Sequence, residues 1–452
     1  MISIRLIARL CVAFLLSLTV FNAHAAAAAP ATPDPSIPYY SWYEVTLPES
    51  TGASCGNGTP MRFYINRAQS DNMLVGFEPG GACWDYGTCS GDATGVEKTL
   101  GAANPDGIPH NYMDGTLTES LTSTFLSPIM TRINFLTWLV GEPKVETQDW
   151  TQVYLPYCSG DISTGNAVQN YTGPNGNWRI QHFAGMKNTQ AVMQWLVSHG
   201  LSKPQRLLVW GVSAGGYSAL TNYSTARDAL QPQSFSSLLD DAGTVFVTPF
   251  NADPATHPSV RIYNYIKQQW NWAGTSGFLT KLRTTLGTAF DTNNVGSIYK
   301  GLSAKYPHDR LGFATFQQDK VISAFHYFLF DPTVEALPDV ASKSTASLAL
   351  FDQELPGIKT ELNGLTNFGY YIPWARGDFV DNHMVTAITF AGTGINEDGI
   401  NAHVGDFVNN LLNQKDPLDT PVMKAFRTDQ SSDFSWTSIA AVFLNLFGVN
   451  PI

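Results

Sequence analysis

Residues 207–220 read "LLVWGVSAGGYSAL". Four apolar residues lead straight into Gly211-Val212-Ser213-Ala214-Gly215-Gly216, and a helix-like run "YSALTNYSTARDAL" follows from Tyr217. Strand, Gly-x-Ser-x-Gly and helix in that order describe a nucleophile elbow, the turn that exposes a serine above an α/β sheet. The bend is tight enough that side chains two before and two after the serine would strike backbone. Glycine at 211 and 215 removes the offending Cβ atoms. The helix that follows turns its first N–H groups toward the serine, which suits a developing oxyanion. The fold class predicted from this stretch is α/β, specifically an α/β-hydrolase fold with a mostly parallel sheet flanked by helices.

The surrounding pattern agrees. "YEVTL", "MRFYIN", "MLVGF" (73–77), "QVYLPY" (152–157), "FSSLLDDAG" (235–243), "LGFATF" (311–316) and "FGYYIP" (368–373) read as strands. "NTQAVMQWLVSHG" and "GDFVNNLL" (405–412) read as helices. Strands alternating with helices indicate a parallel sheet. Residues 250–310 look mainly helical, with Trp270 and Trp272 inside them, and are predicted to form a cap insertion. The catalytic domain is expected over 38–415. Residues 416–452 should form a helical tail, since Trp436, Ile439, Ala440, Phe443 and Leu446 share one helical face.

The chain has 452 residues and a formal net charge of −11. Its first 25 residues resemble an export signal: Arg5 and Arg9, the apolar core "CVAFLLSLTVF", then Ala23-His24-Ala25. That core is too short to span a membrane. Residues 26–37, "AAAAPATPDPSI", should form a loose linker. The acidic balance argues against nucleic acid as a partner, because its phosphates would be repelled. A secreted or periplasmic protein without stable membrane insertion is expected, its oligomeric state left open. Cys55, Cys83, Cys89 and Cys158 remain after the signal, an even number that favours two disulfides in an exported chain. Three pairings are possible. Closeness favours Cys83–Cys89, leaving Cys55–Cys158.

A serine hydroxyl needs a general base, and the base needs an orienting acid. On this fold the chain order is serine, acid, histidine. Five histidines follow Ser213: His257, His308, His326, His383 and His403. His383, in "WARGDFVDNHMVTAITF" shortly after a strand, is the choice for the base, with His403 second. Asp319 in "FATFQQD", just past a strand, is the choice for the acid, with Asp240, Asp241 and Asp352 as rivals. The glycine-rich loop "EPGGACWDYGTC" (78–89), early in the chain, supplies Gly80, Gly81 and Ala82. The N–H of Gly81 or Ala82 should complete an oxyanion hole with that of Ala214.

Together, "FEPGGACWDYGTC", "LPYCSGDISTGN", "HFAGMKN", "WGVSAGGYSAL", "LLDDAG", "FATFQQD" and "DNHMV" resemble, in the same order, the pectin acetylesterase-like proteins, which include Notum-type carboxylesterases. The resemblance covers roughly residues 40–412 and suggests a secreted member of bacterial type. It implies a Ser213–Asp319–His383 triad, oxyanion donors at Gly81 or Ala82 and at Ala214, and a supporting role for Asp161. Asp241 and Gly80 are assigned supporting roles as well. The chain departs from the plant pattern, where tryptophan follows the glycines directly; here Ala82-Cys83-Trp84 stands. The implied reaction is hydrolysis of a carboxylic ester, from a small molecule or a polysaccharide, with no metal or organic cofactor. The alternatives are a catalytically inactive carbohydrate-binding or adhesion protein on the same scaffold, or a lipase-type hydrolase.

Overall fold

The computed structural model describes residues 34–94, 98, 100–113, 127–130, 145–376, 382–387, 389–397, 399–413 and 420–431. The expected export signal, most of the linker and the apolar face from Trp436 to Leu446 lie outside them. Eleven strands are present among the described residues: β1 (Trp42–Thr46), β2 (Arg62–Asn66), β3 (Met73–Phe77), β4 (Thr151–Leu155), β5 (Ala167–Thr172), β6 (Trp178–Phe183), β7 (Arg206–Val212), β8 (Phe235–Asp241), β9 (Arg310–Ala314), β10 (Phe368–Ile372) and β11 (Lys424–Phe426). Nine of them form one sheet in the order β1-β2-β4-β3-β7-β8-β9-β10-β11. The pairs β1–β2 and β2–β4 are antiparallel, and every pair from β4 to β11 is parallel. This is the α/β-hydrolase fold read from the sequence.

The central strands are covered on both faces, and β3 and most of β7 are accordingly apolar runs. All five residues of β3 and all seven of β8 are buried, as are Leu207–Val212 of β7. Two-sided burial is the rule for parallel sheets. Helices Gly185–Ser198 and Ala214–Leu230 connect consecutive parts of the sheet. Residues 250–310 contain helices Val260–Gln269, Phe278–Leu286 and Ile298–Lys305.

The far edge differs from the expected helical tail. Lys424–Phe426 runs parallel to β10 as β11, with Tyr370 opposite Lys424 and Ile372 opposite Phe426. The small apolar Ala425 points inward and is fully buried, and the ladder occupies what would otherwise be an open edge. The end of the linker is also packed: Ile37 is 1% exposed, since its apolar side chain joins the core. No helix among the described residues is long and apolar enough to cross a membrane.

Candidate active site

Parallel strands deliver their following loops to one end of the sheet, where ligands bind in open α/β folds. Every chemically suggestive loop here follows that rule. The Gly80-Gly81 loop follows β3, Asp161 follows β4, Ser213 follows β7, Asp241 ends β8, Asp319 follows β9 and His383 comes after β10.

Ser213 sits between β7 and the helix Ala214–Leu230 with φ 57° and ψ −125°, a strained conformation for a residue with a side chain. The two flanking glycines are obligatory. A Cβ on Gly211 would stand 2.1 Å from the Gly215 carbonyl oxygen, and one on Gly215 would stand 2.2 Å from that of Phe77. The bend is held by the Ser213 N–H, which donates to the Asp241 carbonyl at 2.8 Å.

The serine Oγ lies 2.7 Å from His383 Nε2. On the other side of the ring, Nδ1 lies 2.9 Å and 3.0 Å from the two carboxylate oxygens of Asp319. In the neutral tautomer that this arrangement favours, Nδ1–H donates to Asp319 and Nε2 accepts from the serine. Asp319 is fully buried and also caps helix Lys320–Tyr327, accepting from the N–H groups of Val321 (3.0 Å) and Ile322 (2.9 Å). That fixes its carboxylate independently of the histidine.

The other candidates are elsewhere. His326 is buried against the Ile322 carbonyl (2.9 Å) and the Tyr217 hydroxyl (3.0 Å), and burial pulls it down to about 4. His403 caps helix Val404–Leu412, while His308 is exposed and His257 half-buried. Asp240 accepts from the Gly243 N–H, and burial pushes its carboxyl well above the usual range. Asp352 is exposed on helix Val340–Asn363.

Asp241 serves the histidine through its loop. One oxygen accepts from the Val385 N–H at 2.9 Å; the other accepts from the Thr386 N–H and hydroxyl, both at 2.6 Å. Burial raises this carboxyl to about 6 against those bonds and the attraction of His383. From the opposite side, the buried Arg376 guanidinium donates to the carbonyls of Met384 (3.2 Å), Val385 (2.8 Å) and Ala387 (3.2 Å). Trp210 in β7 adds an indole N–H to the Thr386 hydroxyl at 3.1 Å. Arg376, Thr386 and Trp210 are absent from the sequence reading. The one signal the sequence carries for them is an arginine, Arg376, seven residues before His383.

Asp161 lies fully buried and organises the 159–165 loop. It accepts from the Ser159 hydroxyl (2.6 Å) and from the N–H groups of Ser163 (3.1 Å), Gly165 (3.1 Å) and Gly185 (2.9 Å). Burial still raises its carboxyl overall. That loop packs on the elbow helix, where Ser218 donates to the Ser163 hydroxyl at 2.8 Å.

The oxyanion loop requires one correction. The Ala82 N–H is donated to the Leu100 carbonyl at 2.9 Å, so it is not available to a substrate oxygen. Leu100 and Gly101 lie directly over the loop, where a Cβ on Gly81 would stand 2.3 Å from each carbonyl oxygen. The Gly81 N–H donates to no group among the described residues. Ala214, first residue of its helix, has no intrahelical partner for its N–H. Among the described residues, the N–H groups of Gly81 and Ala214 therefore have no hydrogen-bond acceptor. Cys83–Cys89 closes the loop, and Cys55–Cys158 ties residues 103 apart in the chain. The indole N–H of Trp270 reaches the Cys83 carbonyl at 2.9 Å, and that of Trp272 reaches the Thr164 hydroxyl at 2.8 Å. The 250–310 region is thus pinned to both loops.

A pectinacetylesterase family model matches residues 133–269. Palmitoleoyl-protein carboxylesterase NOTUM of Mus musculus is 23% identical over 192 residues, covering 42% of this chain and 32% of that protein. Pectin acetylesterase 4 of Arabidopsis thaliana is 24% identical over 199 residues, covering 43% and 41%. The crystal structure of the Wnt deacylase Notum from Drosophila superposes with a TM-score of 0.52 at 16% identity, covering 86% of this chain and 97% of that one. The chain is similar to pectin acetylesterases and to Notum-type carboxylesterases, and it shares the fold of the latter. The matched stretch spans only about a third to two fifths of these curated relatives' own length. Within this fold, the strand ends bring Ser213, His383 and Asp319 into one hydrogen-bonded line.

Proposed function

We propose that the protein is a secreted serine esterase that hydrolyses carboxylic esters through an acyl-enzyme, with acetylated polysaccharide as a substrate class. The observation that carries this reading is the unbroken line from Ser213 Oγ to His383 Nε2 (2.7 Å) and from His383 Nδ1 to Asp319 (2.9 Å). In the first half-reaction the Ser213 oxygen attacks the ester carbonyl while its proton passes to His383 Nε2. Asp319 holds the imidazole in the correct tautomer and steadies the imidazolium. The tetrahedral oxyanion accepts from Gly81 and Ala214 N–H. His383 then returns the proton to the departing alcohol. In the second half-reaction water takes the place of the serine hydroxyl and releases the acid.

The family supports ester chemistry, since the relatives are named carboxylesterases and pectin acetylesterases. Two disulfides and the signal-like residues 1–25 support an oxidising compartment outside the cytosol. The test is turnover of p-nitrophenyl esters of increasing acyl length, with acetate release from acetylated polysaccharide measured in parallel. Ser213→Ala should reduce turnover to background. A folded Ser213→Ala variant that keeps most of the activity overturns the assignment.

A further inference from the structure

Glu78 immediately follows β3 and is 1% exposed, yet the proposed reaction gives it no part. One carboxylate oxygen accepts from the Tyr112 hydroxyl. The other accepts from the Tyr157 N–H at 2.6 Å and from the Asn104 side-chain amide at 3.2 Å. The same amide also donates to the Tyr157 carbonyl at 2.9 Å. Asn104 ends a short strap, residues 100–104, that lies across the glycine loop. There the Ala103 N–H donates to the Gly80 carbonyl at 2.8 Å, and the Leu100 carbonyl takes the Ala82 N–H at 2.9 Å.

The Gly80 carbonyl and the Gly81 N–H belong to one planar trans peptide, so they point in opposite directions. Whatever holds the carbonyl also aims the N–H. Both flanking residues are glycines at positive φ, 144° and 57°, and a Gly-Gly peptide is the easiest kind to turn over. Ala103 pins that carbonyl, and the neighbouring Asn104 is fixed by Glu78. We propose that Glu78 is a positioning residue for the oxyanion site: its carboxylate anchors the 100–104 strap, which keeps the Gly80–Gly81 peptide turned so that the Gly81 N–H faces the reacting carbonyl. This rests on the esterase reading above.

Glu78→Gln retains the size and replaces one acceptor oxygen with an NH2 group that meets donors. The full-length protein is assayed with p-nitrophenyl acetate, each rate referred to titrated active sites, and with phenylboronic acid, which forms a tetrahedral adduct on the serine. Removing one oxyanion donor costs ~10²–10³-fold, so a partly misdirected one should lower kcat by about tenfold or more with KM nearly unchanged. Boronate affinity should fall by a similar factor. Asn104→Ala should move both readouts the same way by less, and it decides the matter if Glu78→Gln does not fold. A purely structural role would lower the melting temperature and leave kcat per active site and boronate affinity at wild-type values; that result overturns the proposal. Ser213→Ala in the same assay separates the two levels. If it retains turnover the esterase reading fails. If it is inactive while Glu78→Gln and Asn104→Ala match wild type, only the positioning role fails.

Discussion

Replacing Asp241 by asparagine should separate stability from activity, and the direction depends on pH. The carboxyl is held at about 6 against an ordinary 3.8. At 1.36 kcal/mol for each tenfold change in proton affinity, ionising it in the folded chain costs about 3 kcal/mol more than in the unfolded chain. Its contribution to stability is therefore fully present below pH 3.8 and lost as pH rises through about 6. The amide that replaces the carboxyl in Asp241→Asn cannot ionise, so at pH 7.5 the substitution relieves that cost. Against this, an NH2 group now faces an N–H of Val385 or Thr386, and a buried donor left unmatched costs about 1–3 kcal/mol. The two effects nearly cancel, and Asp241→Asn should unfold within about 2 kcal/mol of wild type at pH 7.5. At pH 4 the wild-type carboxyl is largely protonated and the relief disappears. The variant should then be less stable, the difference moving against it by up to about 3 kcal/mol. Urea unfolding followed by tryptophan fluorescence at both pH values measures it, and subtraction cancels the buried acids other than Asp240, whose carboxyl the Asp241 charge itself raises. Activity should fall about tenfold or more at pH 7.5, because the loop carrying His383 loses charge-assisted bonds. A wild-type–variant difference that stays constant from pH 4 to 7.5 would refute the assignment of the raised carboxyl to Asp241.

Two further substitutions address the same frame. Gly81→Ala places a Cβ 2.3 Å from the Leu100 and Gly101 carbonyl oxygens at φ 57°; kcat should fall about 10²-fold as the donor peptide shifts, measured with p-nitrophenyl acetate. Arg376→Lys keeps the charge but cannot span three carbonyls, so at about 1 kcal/mol for each lost bond kcat should drop about tenfold and the melting temperature by a few degrees. Wild-type kcat in that variant would show that the guanidinium does not hold the His383 loop.

The parts of the fold that were legible are those where one local pattern has one physical solution. "MLVGF" and "LLVWGV" are apolar runs too short for helices and buried on both faces, so they read as central strands. The glycines at 211 and 215 have a single steric purpose, and they place Ser213. The helix Val340–Asn363 has no clear sequence signature because its buried stripe contains Ser347 and Glu354 and a proline, Pro356, stands inside it on the exposed side. Glu354 is tolerated there only because Thr248, Ser259 and Tyr327 supply hydrogen bonds from distant segments. The β5–β6 hairpin stands outside the main sheet; β5 alternates between half-covered and exposed and β6 buries only Gln181 and Phe183, so no apolar run announces it.

The histidine loop shows why site geometry is harder to read than site chemistry. Chemistry restricts the residue types: a hydroxyl, an imidazole and a carboxylate, in an order set by the fold. Position is supplied by partners with no such restriction. Asp241 reaches Val385 and Thr386 across 144 and 145 positions of chain, and Trp210 reaches Thr386 across 176. Any buried acceptor or donor of suitable size could fill those places, so their identity carries no sequence signal until the strands are side by side. Asp241 is adjacent to Ser213 only because β7 and β8 pair in parallel with Val212 opposite Asp241. The same register that lets the Asp241 backbone hold the serine also sends its side chain to the histidine loop, so one residue on one strand ties the nucleophile to the segment that carries the base.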